Sequence, residues 1–302
     1  MASLYTHRTE NIRKTWVLFS TFFIIIIGIG WVFAQIYGSP AILYLAVGFS
    51  IFMSFLSYWR SDKIVLAMSH AKPITTENAP ELYRIVENLA ITAGLPIPKI
   101  YLVPEKAPNA FATGRDPKHA VIAVTEGLLD RLDRSELEGV IAHELSHIGN
   151  RDMLLSSVAV VLVGFVSILA DMFMRSMFWR GGRRDNRGNA VIFLIGIVLS
   201  ILAPIAATLM QLAISRKREF LADTSGALLT RYPEGLAKAL EKISADPTPM
   251  RYASNTTSHL WLNDPFLAGS VSGQAKKTPF LHKLFMTHPP IAERIKNLRD
   301  ME

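Results

Sequence analysis

His143-Glu144-Leu145-Ser146-His147 are the residues whose types and spacing most clearly suit chemistry, forming the pattern His-Glu-x-x-His. On a helix, side chains four positions apart share a face, which puts the two imidazoles at a separation that one tetrahedral ion can bridge. Glu144 would then stand beside the ion. It can take a proton from a water molecule as that water attacks a carbonyl polarised by the metal. Two histidines leave such a site one protein ligand short, and Ile148, Gly149 and Asn150 follow in place of a His-x-x-Gly-x-x-His continuation. The chain has no cysteine, so the missing ligand must be a histidine or a carboxylate, and no disulfide framework exists. Glu219 and Asp223, in Arg218-Glu219-Phe220-Leu221-Ala222-Asp223, are two acids at helical spacing. We read Glu219 as the third ligand of one Zn2+ per chain and Asp223 as the hydrogen-bond partner that orients a ligating histidine. The plainer alternatives are two incidental surface histidines and an acid pair that balances Arg216, Lys217 and Arg218.

Several elements must position these groups. Ser135 and Glu138 read as a capping box that starts the helix of the histidines, and Leu137, Val140, Ile141 and Leu145 supply its apolar stripe. The pattern runs on through His147 towards an apolar run, so this helix is expected to merge with a membrane helix. Upstream, Leu82, Ile85, Val86 and Leu89 mark a helix over Glu77–Ala93 that Gly94 can terminate. Lys99–Val103, Asn109–Thr113 and Ala120–Thr125 read as strands of a small sheet. Downstream, Arg216–Leu229 and Glu234–Ile243 read as helices broken at Tyr232-Pro233, Gly269–Thr278 as a polar loop, and Pro289–Leu298 as a closing helix.

Half of the 302 residues are apolar and the net charge is +7. A basic soluble nucleic-acid binder would not also carry long charge-free apolar runs, so nucleic acid is not an expected partner and the lipid bilayer is. Thr15–Tyr37 and Ala41–Trp59, separated by Gly38-Ser39-Pro40, are each near the roughly 20 residues that a spanning helix needs. Met153–Ala170 and Gly188–Ser215 are two further candidates. The first run reads as an uncleaved anchor. Arg8, Arg13, Lys14, Arg60 and Lys63 put both flanks of the first hairpin on the cytoplasmic side, whereas Arg175, Arg180, Arg183, Arg184 and Arg187 sit in a loop that helix counting places outside. Two further crossings or none would return the chain to the same compartment, so residues before Met153 and after Ser215 share one side.

In order along the chain, the apolar hairpin, Asn109-Ala110-Phe111-Ala112-Thr113-Gly114, His143 to His147, two more apolar runs, Glu219 to Asp223 and Thr287-His288-Pro289-Pro290 resemble the HtpX family of membrane zinc metalloproteases, related to the CAAX prenyl endoproteases of the endoplasmic reticulum. The likeness covers almost the entire length. It implies proteolysis of misfolded or damaged membrane proteins at the cytoplasmic face of the inner or plasma membrane, a quality-control role tied to stress. It supports Glu219 as a ligand and makes Asn109, Ala110, Phe111 and Ala112 part of an edge strand that binds substrate backbone in extended form. It also puts His288 near the metal as an oxyanion donor; from the residues alone, His288 is a turn histidine before two prolines. A prenyl-protein processing protease and a non-catalytic zinc-binding membrane scaffold are the competing functions. The expected architecture is a mainly α, integral membrane protein with up to four transmembrane helices. Its gluzincin-type zinc metallopeptidase domain, with a small mixed β-sheet, is assembled from residues 61–152 and 216–302, and residues 1–60 and 153–215 form two membrane hairpins. Polypeptides are the expected substrates, and nothing in the sequence indicates an oligomeric state.

Overall fold

The computed structural model describes residues 8–180, 216–254, 257–265 and 289–301. The fourth apolar run, the polar loop 269–278 and His288 lie outside the described residues.

Two long helices come first, α1 (Arg8–Tyr37) and α2 (Ala41–Met68), joined at Gly38-Ser39-Pro40. Both are long and apolar enough to cross a membrane. Trp16, Ile24, Trp31, Leu45, Phe52 and Phe55 project from the hairpin into open space, a surface too apolar for water and suited to hydrocarbon. The sequence placed the end of the second run at Trp59, but the helix continues through Arg60, Asp62 and Lys63. Charge ends the lipid-compatible stretch without ending the helix, because Ser61, Val65 and Leu66 are buried against the rest of the protein.

α3 (Pro80–Ala93) buries the predicted stripe and stops at Gly94, whose φ of +67° is a left-handed conformation that glycine adopts without steric cost. A four-stranded mixed sheet follows, in the order β1 (Lys72–Pro73), β2 (Lys99–Val103), β4 (Val121–Thr125), β3 (Ala110–Thr113). β2 and β4 are parallel; β1 and β3 pair antiparallel at the two edges. β1 has no counterpart in the sequence reading, since two residues that include a proline carry no strand signal.

After α4 (Glu126–Arg131) comes α5 (Arg134–Asn150), the helix of the two histidines. Its capping box uses Asp133 and Glu136, not Ser135 and Glu138. Asp133 accepts from the Glu136 N–H and Glu136 accepts from the Asp133 N–H. The Ser135 hydroxyl instead donates to Asp133, and Glu138 pairs with Arg134 along the helix surface. Both pairs have the spacing of a box, and the one closer to the preceding turn wins because an aspartate caps as well as a serine.

α5 does not run smoothly into the third apolar run. Arg151 adopts φ +59° and turns the chain through 83° into α6 (Asp152–Arg180). A third crossing would require this bent pair to count as one span. α7 (Arg216–Thr230), α8 (Pro233–Ala245) and α9 (Ile291–Arg299) complete the described elements together with short 3-10 turns at Pro117–His119 and Ser258–Leu260. The main core joins α3, α5, α7, α8 and α9 to one face of the sheet, through residues such as Ile85, Ile122, Ile141, Leu145 and Leu240. A second cluster packs α1 and α2 on α6, and a third, around Phe111, Val160 and Trp261, ties the sheet to α2 and α6. The Thr113 and Ser157 hydroxyls, 2.7 Å apart, fasten β3 to α6.

Candidate metal centre

α5 carries His143 and His147 on one face, with Nε2 atoms 3.1 Å apart and rings almost perpendicular. α7 lies across α5 and brings Glu219 up to both: Oε2 is 3.9 Å from His143 Nε2, and Oε1 is 3.6 Å from His147 Nε2. The helices can approach this closely because Gly226 of α7 sits on the backbone of His143, where even a Cβ would come within 3.0 Å of the His143 nitrogen. One ligand atom from each of His143, His147 and Glu219 lies within 4.8 Å of the others, the one such three-residue cluster among the described residues.

The far side of each ring decides what the near side can do. His147 Nδ1 is 2.9 Å from Asp152 Oδ2, and His143 Nδ1 is 2.9 Å from Asp223 Oδ1, the latter at an angle that makes the contact more electrostatic than a well-aligned hydrogen bond. A carboxylate at Nδ1 fixes the proton there and leaves the Nε2 lone pair free. With both rings neutral, two lone pairs and a carboxylate oxygen converge with no donor of their own, and a cation satisfies all three. For bonds of roughly 2.0–2.1 Å, a tetrahedral ion separates its ligands by about 3.3 Å, close to the spacings found here. The nitrogen and oxygen donor set fits zinc.

Glu144 is 2% exposed. Burial is the main reason that its carboxyl pKa is raised to about 7; the nearby His147 charge opposes this, Glu219 adds to it, and Arg294 and a hydrogen bond from the Ala112 main chain oppose it. A carboxylate tuned close to neutrality suits a proton acceptor. The two imidazoles differ. Burial lowers the pKa of His143 against the opposing pull of Asp223, whereas for His147 burial is outweighed by the Asp152 hydrogen bond and by the charges of Glu219, Asp152 and Glu144, which raise it to about 9.

Two supporting residues escaped the sequence reading. Asp152 follows His147 by five positions, which on a continuous helix would put it about 140° round from the histidine; only the left-handed turn at Arg151 swings it back. Arg294 of α9 is fully buried and grips Asp223 through two hydrogen bonds of 2.8 and 2.7 Å. Its Nη1 also donates to the Leu262 carbonyl and lies 3.8 Å from Glu219 Oε2. The available signal was an arginine on the apolar stripe Ile291, Ile295, Leu298, where a charge needs a buried partner.

β3 is the sheet edge that faces α5, and its residues are buried. Part of this edge is already engaged. The Ala110 carbonyl accepts from the Leu262 N–H, and the Asn109 side chain accepts from the Asn263 N–H and donates to the Asn263 carbonyl. Trp261, edge-on to Phe111, holds that segment in place. Ala112 of this edge reaches Glu144 through a main-chain hydrogen bond.

Residues 76–302 match peptidase family M48. A protein described as "Protease HtpX homolog" from Thermoanaerobacter pseudethanolicus is 46% identical over 306 residues, covering 99% of this chain and 98% of that one. Proteins with the same description from Syntrophobacter fumaroxidans and Pyrococcus furiosus are 48% and 46% identical, each over at least 90% of both chains. Among solved structures, S. mikatae Ste24p shares the fold with a TM-score of 0.52 at 19% identity, covering 90% of this chain and 62% of that one.

Proposed function

The chain belongs to peptidase family M48 and is a membrane metalloendopeptidase, and from that premise we propose that His143, His147 and Glu219 hold one zinc ion with which it cleaves misfolded or damaged membrane proteins at the cytoplasmic face. The observation that carries this reading is the convergence of two Nε2 lone pairs and a Glu219 oxygen, each ring backed by a carboxylate, with Glu144 alongside. When bound, the ion polarises both the scissile carbonyl and the attacking water. Glu144 takes the proton from that water and hands it to the departing amine. Asp223 and Asp152 hold the rings in the tautomer that directs Nε2 inward. His288 donates to the oxyanion.

Substrate backbone lies extended along β3, at Asn109 to Ala112, so that recognition reads main chain more than side chains. A peptide that pairs at Ala110 takes the place of Leu262 and Asn263, and one that pairs at Ala112 lies beside the base. Residues 61–152 and 216–302 make up the peptidase domain, which the membrane segments hold at the bilayer. Cytoplasmic orientation is favoured by Arg8, Arg13, Lys14, Arg60 and Lys63 at the ends of the hairpin. A quality-control role follows the HtpX resemblance.

The test uses the full chain in lipid vesicles with an unfolded soluble protein and a destabilised membrane protein as substrates. Cleavage of both, abolished by chelation, restored by zinc and lost in Glu144→Gln with zinc retained, is the expected result; cleavage that survives in Glu144→Gln overturns the assignment. Orientation is read in cells. The chain has no cysteine, so Lys106→Cys, at an exposed position, should resist an impermeant maleimide applied from outside. Labelling from outside would refute the cytoplasmic placement.

A further inference from the structure

We propose that Asn11, in the first turns of the membrane helix α1, is a positioning residue for the metal, acting through Asp152 on His147. The inference rests on the zinc reading given above and extends it to a part of the chain that the peptidase family match does not reach, since that match begins at residue 76.

Asn11 is 1% exposed although it stands in the charged first turns of α1, among Arg8, Glu10, Arg13 and Lys14. Its carboxamide is committed on both sides. Nδ2 donates to the Asn150 carbonyl at 3.0 Å and to Asp152 Oδ1 at 2.5 Å, and Oδ1 accepts from Arg218 Nη1 at 3.3 Å. These partners are the end of α5, the beginning of α6 and the beginning of α7, where His147, its supporting carboxylate and Glu219 are respectively fixed. Asp152 presents its two oxygens in opposite directions, Oδ2 to His147 Nδ1 and Oδ1 to Asn11, with Arg218 Nε 3.7 Å from the same Oδ1. Without the amide, one oxygen of a buried carboxylate and the last carbonyl of α5 each lose a donor. Asp152 can then rotate towards Arg218, and the ring that depends on it loses its fixed tautomer and direction. The membrane anchor thereby supplies part of the metal site's support.

A residue that merely docked α1 would act through packing, as Leu18 does, which is wholly buried on the same helix in the cluster against α6. The experiment therefore compares Asn11→Leu and Leu18→Ala in the full chain, in detergent micelles, loaded with zinc or with cobalt as the probe. Zinc release to a chromogenic chelator and the visible spectrum of the cobalt form are read alongside thermal unfolding. Asn11→Leu should release zinc about tenfold faster and alter the cobalt bands. Leu18→Ala should lower the unfolding temperature and leave the cobalt spectrum unchanged. In a double-mutant cycle, Asn11→Leu should add little to Asp152→Asn, because both break the same link. Equal zinc release from wild type and Asn11→Leu, matching spectral changes in Leu18→Ala, or additivity with Asp152→Asn each overturns the proposal. Wild-type protein that binds neither zinc nor cobalt would instead overturn the zinc reading, and this inference along with it.

Discussion

On one side of the candidate metal centre, His143 leans on Asp223, which receives two hydrogen bonds from the buried Arg294; on the other, His147 leans on Asp152, which receives a hydrogen bond from the Asn11 amide of α1. Both halves use a carboxylate behind an imidazole, yet their charge balance differs. A guanidinium in direct bidentate contact neutralises Asp223 and keeps its carboxyl pKa well below the usual range despite burial. Asp152 has a neutral amide and an Arg218 nitrogen at 3.7 Å. Burial pushes His143 towards the neutral form and the Arg294 charge beside Asp223 adds to that, whereas for His147 burial is outweighed by the Asp152 hydrogen bond and by the charges of Glu219, Asp152 and Glu144. Two rings that look equivalent in the sequence motif thus differ in proton affinity, and Asp152, Glu219 and Arg294, outside the motif, contribute to the difference.

The largest effect should come from the residue that serves both halves. Glu144→Gln is expected to lower kcat by about 10²–10⁴-fold without loss of zinc, measured by peptide turnover and by metal content of the same sample. It sets the baseline against which metal loss is assigned to one half or the other. Next is Arg294→Ala, which strands Asp223 in the interior and should cost roughly 3–5 kcal/mol of folding stability, read from denaturant unfolding in detergent. A loss well under 1 kcal/mol would mean that the two halves are not anchored differently. Asp223→Asn and Asp152→Asn should each weaken zinc by about 10–100-fold in chelator competition. Only the first should also reduce unfolding stability noticeably, because it alone leaves a guanidinium without its main partner.

The proton provides a finer comparison. With its pKa raised to about 9, His147 is protonated below that pH in the metal-free protein, and the proton must leave before zinc binds. Zinc affinity should accordingly climb as pH rises towards about 9 and then flatten, with calorimetry in buffers of different ionisation heat reporting one proton released per metal near pH 8. Asp152→Asn should flatten that climb and Asp223→Asn should not. The smallest effect belongs to the start of α5, which carries both rings. Asp133→Ala should cost about 1 kcal/mol, Ser135→Ala less, and neither should alter the ratio of affinities between the halves.

Where a local pattern determined the outcome, the sequence was legible. The helical stripe of α3, the strands β2, β3 and β4 and the apolar hairpin follow from periodicity, and the clustering of His143, His147 and Glu219 follows from two spacings of four and the absence of thiols. Tertiary decisions were hidden. Nothing local announces that Arg151 takes a left-handed conformation, so the sequence across the corner between α5 and α6 looks like one continuous helix and gives Asp152 no partner. Arg294 lies on an apolar stripe and Asn11 among charged residues, and the partners of both lie far away along the chain. The engagement of Asn109 by Asn263 is likewise a contact between segments that share no sequence pattern.

Gly226 also fixes a tolerance. Ligand-to-metal lengths admit deviations of about 0.2 Å, and a methyl group at position 226, starting 3.0 Å from the His143 nitrogen, would have to push α5 and α7 apart by a comparable amount. A single hydrogen atom in place of a side chain therefore acts as the spacer that gauges the whole centre, and alanine there would test how much slack the coordination has.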